Sequence, residues 1–199
     1  MNFVLGFAAT ATAQPRPEVI GTSELVLFWA SRQADGETRG QALYERQRVF
    51  ARDTVATADR AALHLQFNDS TELRLGENAV VQLDDFVYRR DSADRLAVSV
   101  AKGVARFITG RMQADRIRIV TPVSLIGVRG TDFSVWVEPD GRTTIWVTQG
   151  QIEVQPLNGA PETVGAGETV AVATSASPVQ RNATRPPPDI GLGPARELR

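Results

Sequence analysis

Between residues 60 and 155 apolar and polar residues alternate with a period close to two. Successive side chains of an extended backbone point to opposite faces, so this pattern predicts half-buried strands. Leu63, Leu65 and Phe67 share one face, with His64 and Gln66 opposite. Leu73 with Leu75, Val81 with Leu83, then Leu96, Val98 and Val100 repeat the arrangement. Turn signals divide these runs at Asn68-Asp69-Ser70, Gly76-Glu77-Asn78, the polar connection Arg89–Arg95, Lys102-Gly103 and Thr109-Gly110. They recur about every 8–12 residues, the spacing of a sandwich, barrel or solenoid. No fixed period emerges, which argues against a strict repeat protein.

The stretch from Ile117 to Val154 carries the most information. Ile117 and Ile119 share a face, as do Phe133, Val135 and Val137, then Ile145 with Val147 and Ile152 with Val154. Pro139-Asp140-Gly141 is a hairpin signal: proline presets φ, aspartate caps its own turn, and glycine tolerates φ > 0. In the middle the apolar face runs on odd numbers through Val123 and Leu125, moves to even numbers at Ile126 and Val128, and returns to odd at Phe133. A one-residue slip turns a strand inside out, so the backbone is expected to bend near Leu125 and to bulge near Gly130. Two corners so close together predict a sheet that wraps.

Outside this region the pattern is thinner. Leu25–Trp29 reads as a strand and Ser31–Gly40 as a polar loop; in 42–52 Leu43 and Phe50 fit a helical stripe, or Tyr44 and Phe50 a twisted strand, and 42–52 with 53–57 is taken as a strand pair. A last pair is expected around Thr163–Val164 and Val170–Val172, split by Gly165-Ala166-Gly167. Residues 1–13 read as a signal peptide. The apolar segment Phe3–Ala9 is followed by Ala11-Thr12-Ala13, small residues where a signal peptidase needs them, and cleavage would leave Gln14 first. No basic residue precedes the apolar segment, and a start codon placed too far downstream would explain that. The expected organisation is a signal peptide over 1–13, a linker over 14–23, a β domain over 24–173, and a disordered proline-rich tail over 174–199.

Composition narrows the chemistry. The chain has 199 residues, 42% hydrophobic, with a formal net charge of −1. That length supports one continuous core. The near-neutral balance, with no basic run to track phosphates, argues against nucleic acid. No internal stretch reaches the ~20 apolar residues of a membrane helix. Cysteine is absent and His64 is the single histidine. Thiolate chemistry, multi-histidine metal sites and Ser-His-Asp triads thereby lose their basis, and no cofactor is expected.

Several blocks stand in an order that resembles the FecR domain family. They are LHLQFNDSTELRLGENAVVQL (63–83), LDDFVY (83–88), KGVARFITG (102–110), TPVSLIGVRGTDF (121–133) and GQIEV (150–154). The 121–133 block is the most specific, and Thr121, Pro122, Arg129, Gly130, Thr131, Phe133 and Gly150 mark the structural motif. The resemblance covers about 24 to 173 and is weakest in the first third, where Glu45–Arg48 and Ala51-Arg52 stand in place of the family's glycines. It implies an exported all-β module, a wound stack of short strands resembling a β-helix or β-solenoid with C-terminal hairpins; a β-sandwich is the alternative. The family's signalling members carry a cytoplasmic anti-sigma segment and a membrane helix before the domain, and a receptor-contacting region after it. A signal-like segment and a short tail are expected here instead, so iron-transport signalling is not carried over.

Trp136 and Trp146 are the candidate partner surface. The inward residues of their strands are odd, so both tryptophans point outward on the two arms of one hairpin. The competing reading covers that face with another layer or the C-terminal tail. Arg129-Gly130-Thr131-Asp132 reads as an anion site or, with greater weight, as a structural corner. His64 reads as a solvated histidine. Asp84 and Asp85 are strand neighbours pointing to opposite faces, and so cannot share a substrate. The expected function is a non-catalytic periplasmic or otherwise exported binding or scaffold module, contacting an envelope protein or cell-wall component and contributing to signal sensing. The alternatives are an enzyme on envelope polysaccharide, which needs two acids across a cleft, and a regulatory partner of a separately encoded membrane sensor.

Overall fold

The computed structural model describes residues 18–87, 95–112, 116–183 and 190. The expected signal peptide and most of the expected tail lie outside them, as do Tyr88 and most of the polar connection after it. The elements are strands throughout: β1 (Val19–Leu27), β2 (Ala30–Gln33), β3 (Gln41–Leu43), β4 (Arg48–Phe50), β5 (Thr54–Thr57), β6 (Ala62–Phe67), β7 (Glu72–Leu75), β8 (Val80–Val87), β9 (Arg95–Ile108), β10 (Ile117–Val120), β11 (Ser124–Val137), β12 (Thr143–Pro156), β13 (Glu162–Gly165), β14 (Thr169–Val172) and β15 (Gln180–Arg181). They form one open mixed sheet of fifteen strands.

Three strands are long enough to serve two rows of that sheet. The first half of β9 pairs with β8 and β10, and its second half with β7 and β11. β11 likewise meets β10 and the end of β12 with its first half, then β9 and the start of β12 with its second. β12 carries β14 on its first half and β13 on its second. The ladder therefore resolves into two rows. The first runs β4-β1-β6-β7-β9-β11-β12-β14-β15, and the second β3-β2-β5-β8-β9-β10-β11-β12-β13. Leu65, Phe107, Phe133 and Ile145 of the first row share one core with Val55, Val98, Ile126 and Ile152 of the second. Phe107 and Phe133 lie directly opposite each other and stack with ring centroids 5.4 Å apart. The chain thus passes repeatedly from row to row, the wound stack that was expected. Neighbours run antiparallel, with β9–β10 the one parallel pairing among the described strands.

The crossings between rows fall on glycines. Gly103, Gly130 and Gly150 have φ of 88°, 61° and 82°, a region that costs other residues ~1–2 kcal/mol. At each one the parity of the buried face changes. Val98 and Val100 give way to Ala105 and Phe107, Ile126 and Val128 to Phe133 and Val135, and Ile145 and Val147 to Ile152 and Val154. One extra residue at a bulge produces that inversion. The bends of β11 and β12 lie against each other, because a Cβ on Gly150 would stand 2.3 Å from the carbonyl oxygen of Gly130.

Several expectations are corrected. Ser31–Gly40 is not loop throughout, since β2 reaches Gln33 and pairs with β3 and β5. The pair expected of 42–52 with 53–57 does not form: two short strands stand in place of the first, β3 paired with β2 and β4 with β1, while β5 pairs with β2 and β8. β13 and β14 also do not pair with each other; they flank the two halves of β12. The first corner is the turn Thr121–Ser124, and Leu125 faces outward, opposite Gln155 and Val120. The sheet starts at Val19 and continues past residue 173 to β15, with Val179 buried. The rows end on short strands: β4 and β15 in the first, β3 and β13 in the second, of three, two, three and four residues.

Candidate functional site

The outer face of the first row carries the tryptophans. Trp136 pairs with Thr144 and Trp146 with Ser134, so the two rings are diagonal neighbours and not directly opposed. Trp146 is 38% exposed. Trp136 is half-buried and lines a groove with Leu27, Ala62, Val104, Pro139 and Ile190. Trp146 is thus open, while Trp136 has Ile190 beside it in the groove.

The same face continues into a charged stripe. Arg74 of β7 stands directly opposite Arg106 of β9, a like-charge pairing that would be unfavourable alone. Each guanidinium is neutralised by its own acid. Arg74 donates to Glu72 through Nε at 3.2 Å and Nη2 at 2.7 Å. Arg106 forms a two-pronged pair with Asp132, Nε to Oδ1 at 2.8 Å and Nη2 to Oδ2 at 2.6 Å, the strong geometry for an arginine and a carboxylate. Arg74 is only 5% exposed. His64 Nε2 lies 3.2 Å from Glu72 Oε2 but is not aligned for a hydrogen bond. It is therefore a half-buried neighbour of this stripe and not the solvated histidine expected. Burial lowers its pKa, as does Arg74, against the opposite pull of Glu72 and Glu24. Sequence reasoning missed the stripe, though a signal existed: Glu72 and Arg74 are two apart in a strand and so share a face.

The motif residues of the 121–133 block hold corners. Thr121 Oγ1 accepts the Ser124 N–H at 3.0 Å and meets the hydroxyls of Ser124 at 2.9 Å and Thr143 at 3.2 Å, all buried. Pro122 packs under the hairpin, 3.3 Å from where a Cβ on Gly141 would be. Thr131 donates its N–H to Thr109 Oγ1 at 2.9 Å while its own hydroxyl points into the interior without a partner. Phe133 is core. Arg129 is exposed on the outer face of the second row, beside Gly127, Arg118 and Gln151. Asp132 instead turns to Arg106 on the first row, so the stretch Arg129–Asp132 does not converge on one anion.

Other buried acids are tied into the frame. Asp69 accepts the Thr71 N–H at 3.0 Å and its hydroxyl at 2.6 Å, and Gly110 N–H reaches Thr71 Oγ1 at 3.0 Å. Asp53 accepts from Phe50 N–H at 2.8 Å and Arg32 Nη1 at 3.2 Å. Burial still holds its carboxyl above the usual value, against those two donors. Asp84 accepts the Ser99 hydroxyl. Among the described residues no three His, Cys, Asp or Glu side chains gather as a metal site, and no helix is long and apolar enough to cross a membrane. A second apolar feature escaped the alternation pattern: Leu27, Phe28 and Trp29 are consecutive and exposed, with Phe28 at φ 60° and Arg60 over its ring at 5.9 Å. Three large apolar residues in a row cannot all face one core.

Buried hydroxyls and carboxylates holding glycine corners, under an outer face of mixed aromatic and charged residues, define a wound all-β module. The chain belongs to the FecR family, whose pattern, described as FecR protein, matches residues 53–153. Two crystal structures of a "putative anti-sigma factor" from Parabacteroides distasonis ATCC 8503 share the fold, each at 16% identity with a TM-score of 0.53. The likeness covers 64% of this chain and 58% of that one, so it spans little more than half of the solved protein. None of the curated proteins compared matches this chain.

Proposed function

We propose that this chain is a non-catalytic, exported FecR-domain module of the bacterial envelope that binds an envelope protein or cell-wall component through the outer face of its first row. The observation that carries this reading is Trp146, a large aromatic left open on a sheet face beside Trp136 and the charged stripe. Tryptophan and arginine on one sheet face are the residue types enriched in binding hot spots. The non-catalytic part is supported by the acids, which are spent on structure: Asp53, Asp69, Asp84 and Asp132 each serve a donor of the frame.

A photo-crosslinking residue at position 146, in cells of the native host, is expected to trap one envelope component. The same residue at Glu153, on the outer face of the second row, is expected not to trap it. Equal labelling from both positions, or none from either, would overturn the reading. Trp146→Ser is expected to change stability by only ~0.5 kcal/mol, as for an exposed position, measured by urea unfolding. Export is tested by the mature N-terminus, expected at Gln14.

A second reading is a regulatory role, supported by the family and by the solved relative's description as an anti-sigma factor, and exerted here through a separately encoded membrane sensor. It requires the component trapped at position 146 to be that sensor.

A further inference from the structure

We propose that the outer face of the second row holds a site for a free acidic amino acid, with Arg118 and Arg129 taking its two carboxylates and Glu153 its ammonium group. The site lies across the core from Trp146. It goes beyond the binding reading of the first row, and the crosslinking outcome at position 146 does not bear on it.

Strand register builds the site around Gly127. Arg118 of β10 stands directly opposite Gly127 on one side, and Glu153 of β12 on the other. Arg129 follows two residues along β11 and so shares the face, where it pairs with Gln151. Arg118 and Arg129 are therefore diagonal neighbours, with Cβ atoms roughly 7–8 Å apart. Glu153 is likewise diagonal to Arg129, and lies two strand spacings from Arg118, roughly 9.5 Å. All three side chains are exposed. Among the described residues none of the three is engaged in an ion pair or a side-chain hydrogen bond. Arg74 and Arg106 on the first row differ, each being held by an acid of its own face.

Gly127 makes the space. Its φ lies outside the left-handed region, and a Cβ there would meet nothing closer than Glu153 Cβ at 3.8 Å. Neither backbone conformation nor crowding calls for glycine, a residue that weakens a strand interior and often marks the close approach of a ligand. The missing side chain leaves a shallow hollow of about 580 Å³ among the charged residues, with Gln155 and Thr163 on its rim. That volume lies within the range of small-molecule sites.

Charge decides the class of ligand. Each guanidinium offers a fork that takes a carboxylate through two parallel hydrogen bonds. Two arginines and one glutamate leave one positive charge in excess, and a ligand with two carboxylates and one ammonium matches them group for group. A dicarboxylate without the ammonium leaves Glu153 facing like charge, and a neutral amino acid leaves one arginine without a partner.

The test titrates the full chain by calorimetry at low ionic strength with L-glutamate and with glutarate, which keeps both carboxylates and lacks the ammonium group. Wild type is expected to bind glutamate at least about tenfold more tightly than glutarate. Glu153→Gln is expected to erase that preference, and Arg118→Gln or Arg129→Gln to weaken glutamate binding about tenfold or more. Gly127→Val fills the hollow and is expected to abolish binding while the melting temperature stays level or rises, since valine favours a strand. No binding of glutamate to wild type, equal binding of the two acids, or a Gly127→Val chain that still binds would each overturn the proposal. A Gly127→Val chain that unfolds at a much lower temperature would overturn it too, because the glycine would then serve the fold.

Discussion

Gly130 and Gly150 face each other at the same corner, yet they should respond differently to a methyl group. Both have positive φ, so alanine at either carries the left-handed cost of ~1–2 kcal/mol. Nothing lies within 4 Å of a Cβ on Gly130, whereas on Gly150 that carbon would be 2.3 Å from the Gly130 oxygen and 2.7 Å from Thr131 Cγ2. Gly130→Ala is expected to cost ~1 kcal/mol and Gly150→Ala at least ~3 kcal/mol, read from urea midpoints. Asp53 offers a second contrast. Its side chain is 2% exposed, and Arg32 is its charged partner. Arg32→Met leaves a buried carboxylate unpaired, a loss of ~3 kcal/mol at neutral pH. The loss should fade as the pH falls and the carboxyl takes up a proton, because burial already raises its pKa.

Among the elements, those with clean alternation were legible. Leu63, Leu65 and Phe67 in β6, and Ile145 with Val147 in β12, are buried as the period of two requires. The bulge at Gly130 was legible too, because a change of parity in the apolar face has no other cheap explanation. The matching switches at Gly103 and Gly150 went unnoticed, since a glycine at a strand end also reads as an ordinary turn. Pairing was the hardest part. β13 and β14 are close in sequence, and local closeness suggested a hairpin, but β12 is long enough to take one on each half. Of the candidate site, the outward tryptophans were readable from parity. The stacked Phe107–Phe133 pair ties β9 to β11, and Phe133→Ala is expected to cost ~3–5 kcal/mol, measured by thermal unfolding.

For the whole molecule the single histidine sets one dependence on acidity. His64 has its pKa lowered by burial, so the unfolded chain binds a proton at a pH where the folded chain does not. Stability is then complete above the unfolded value, ~6.5, and declines as the pH falls towards the folded one. His64→Gln is expected to flatten the decline just below pH 6.5, leaving the carboxylate-driven loss at lower pH. Melting temperatures across pH 5–8 would show it, and a wild-type curve already flat between 5 and 6.5 would refute it.

The brevity of the terminal strands has a consequence for solubility. A ladder wound in two rows offers bare backbone at both extremities, and such surfaces recruit further chains when they are long and flat. Here the extremities taper to two, three or four residues, too little to template another copy. Deleting the last of them would bare β14 alongside buried Val179's former place, turning a self-terminating assembly into a seed for filaments.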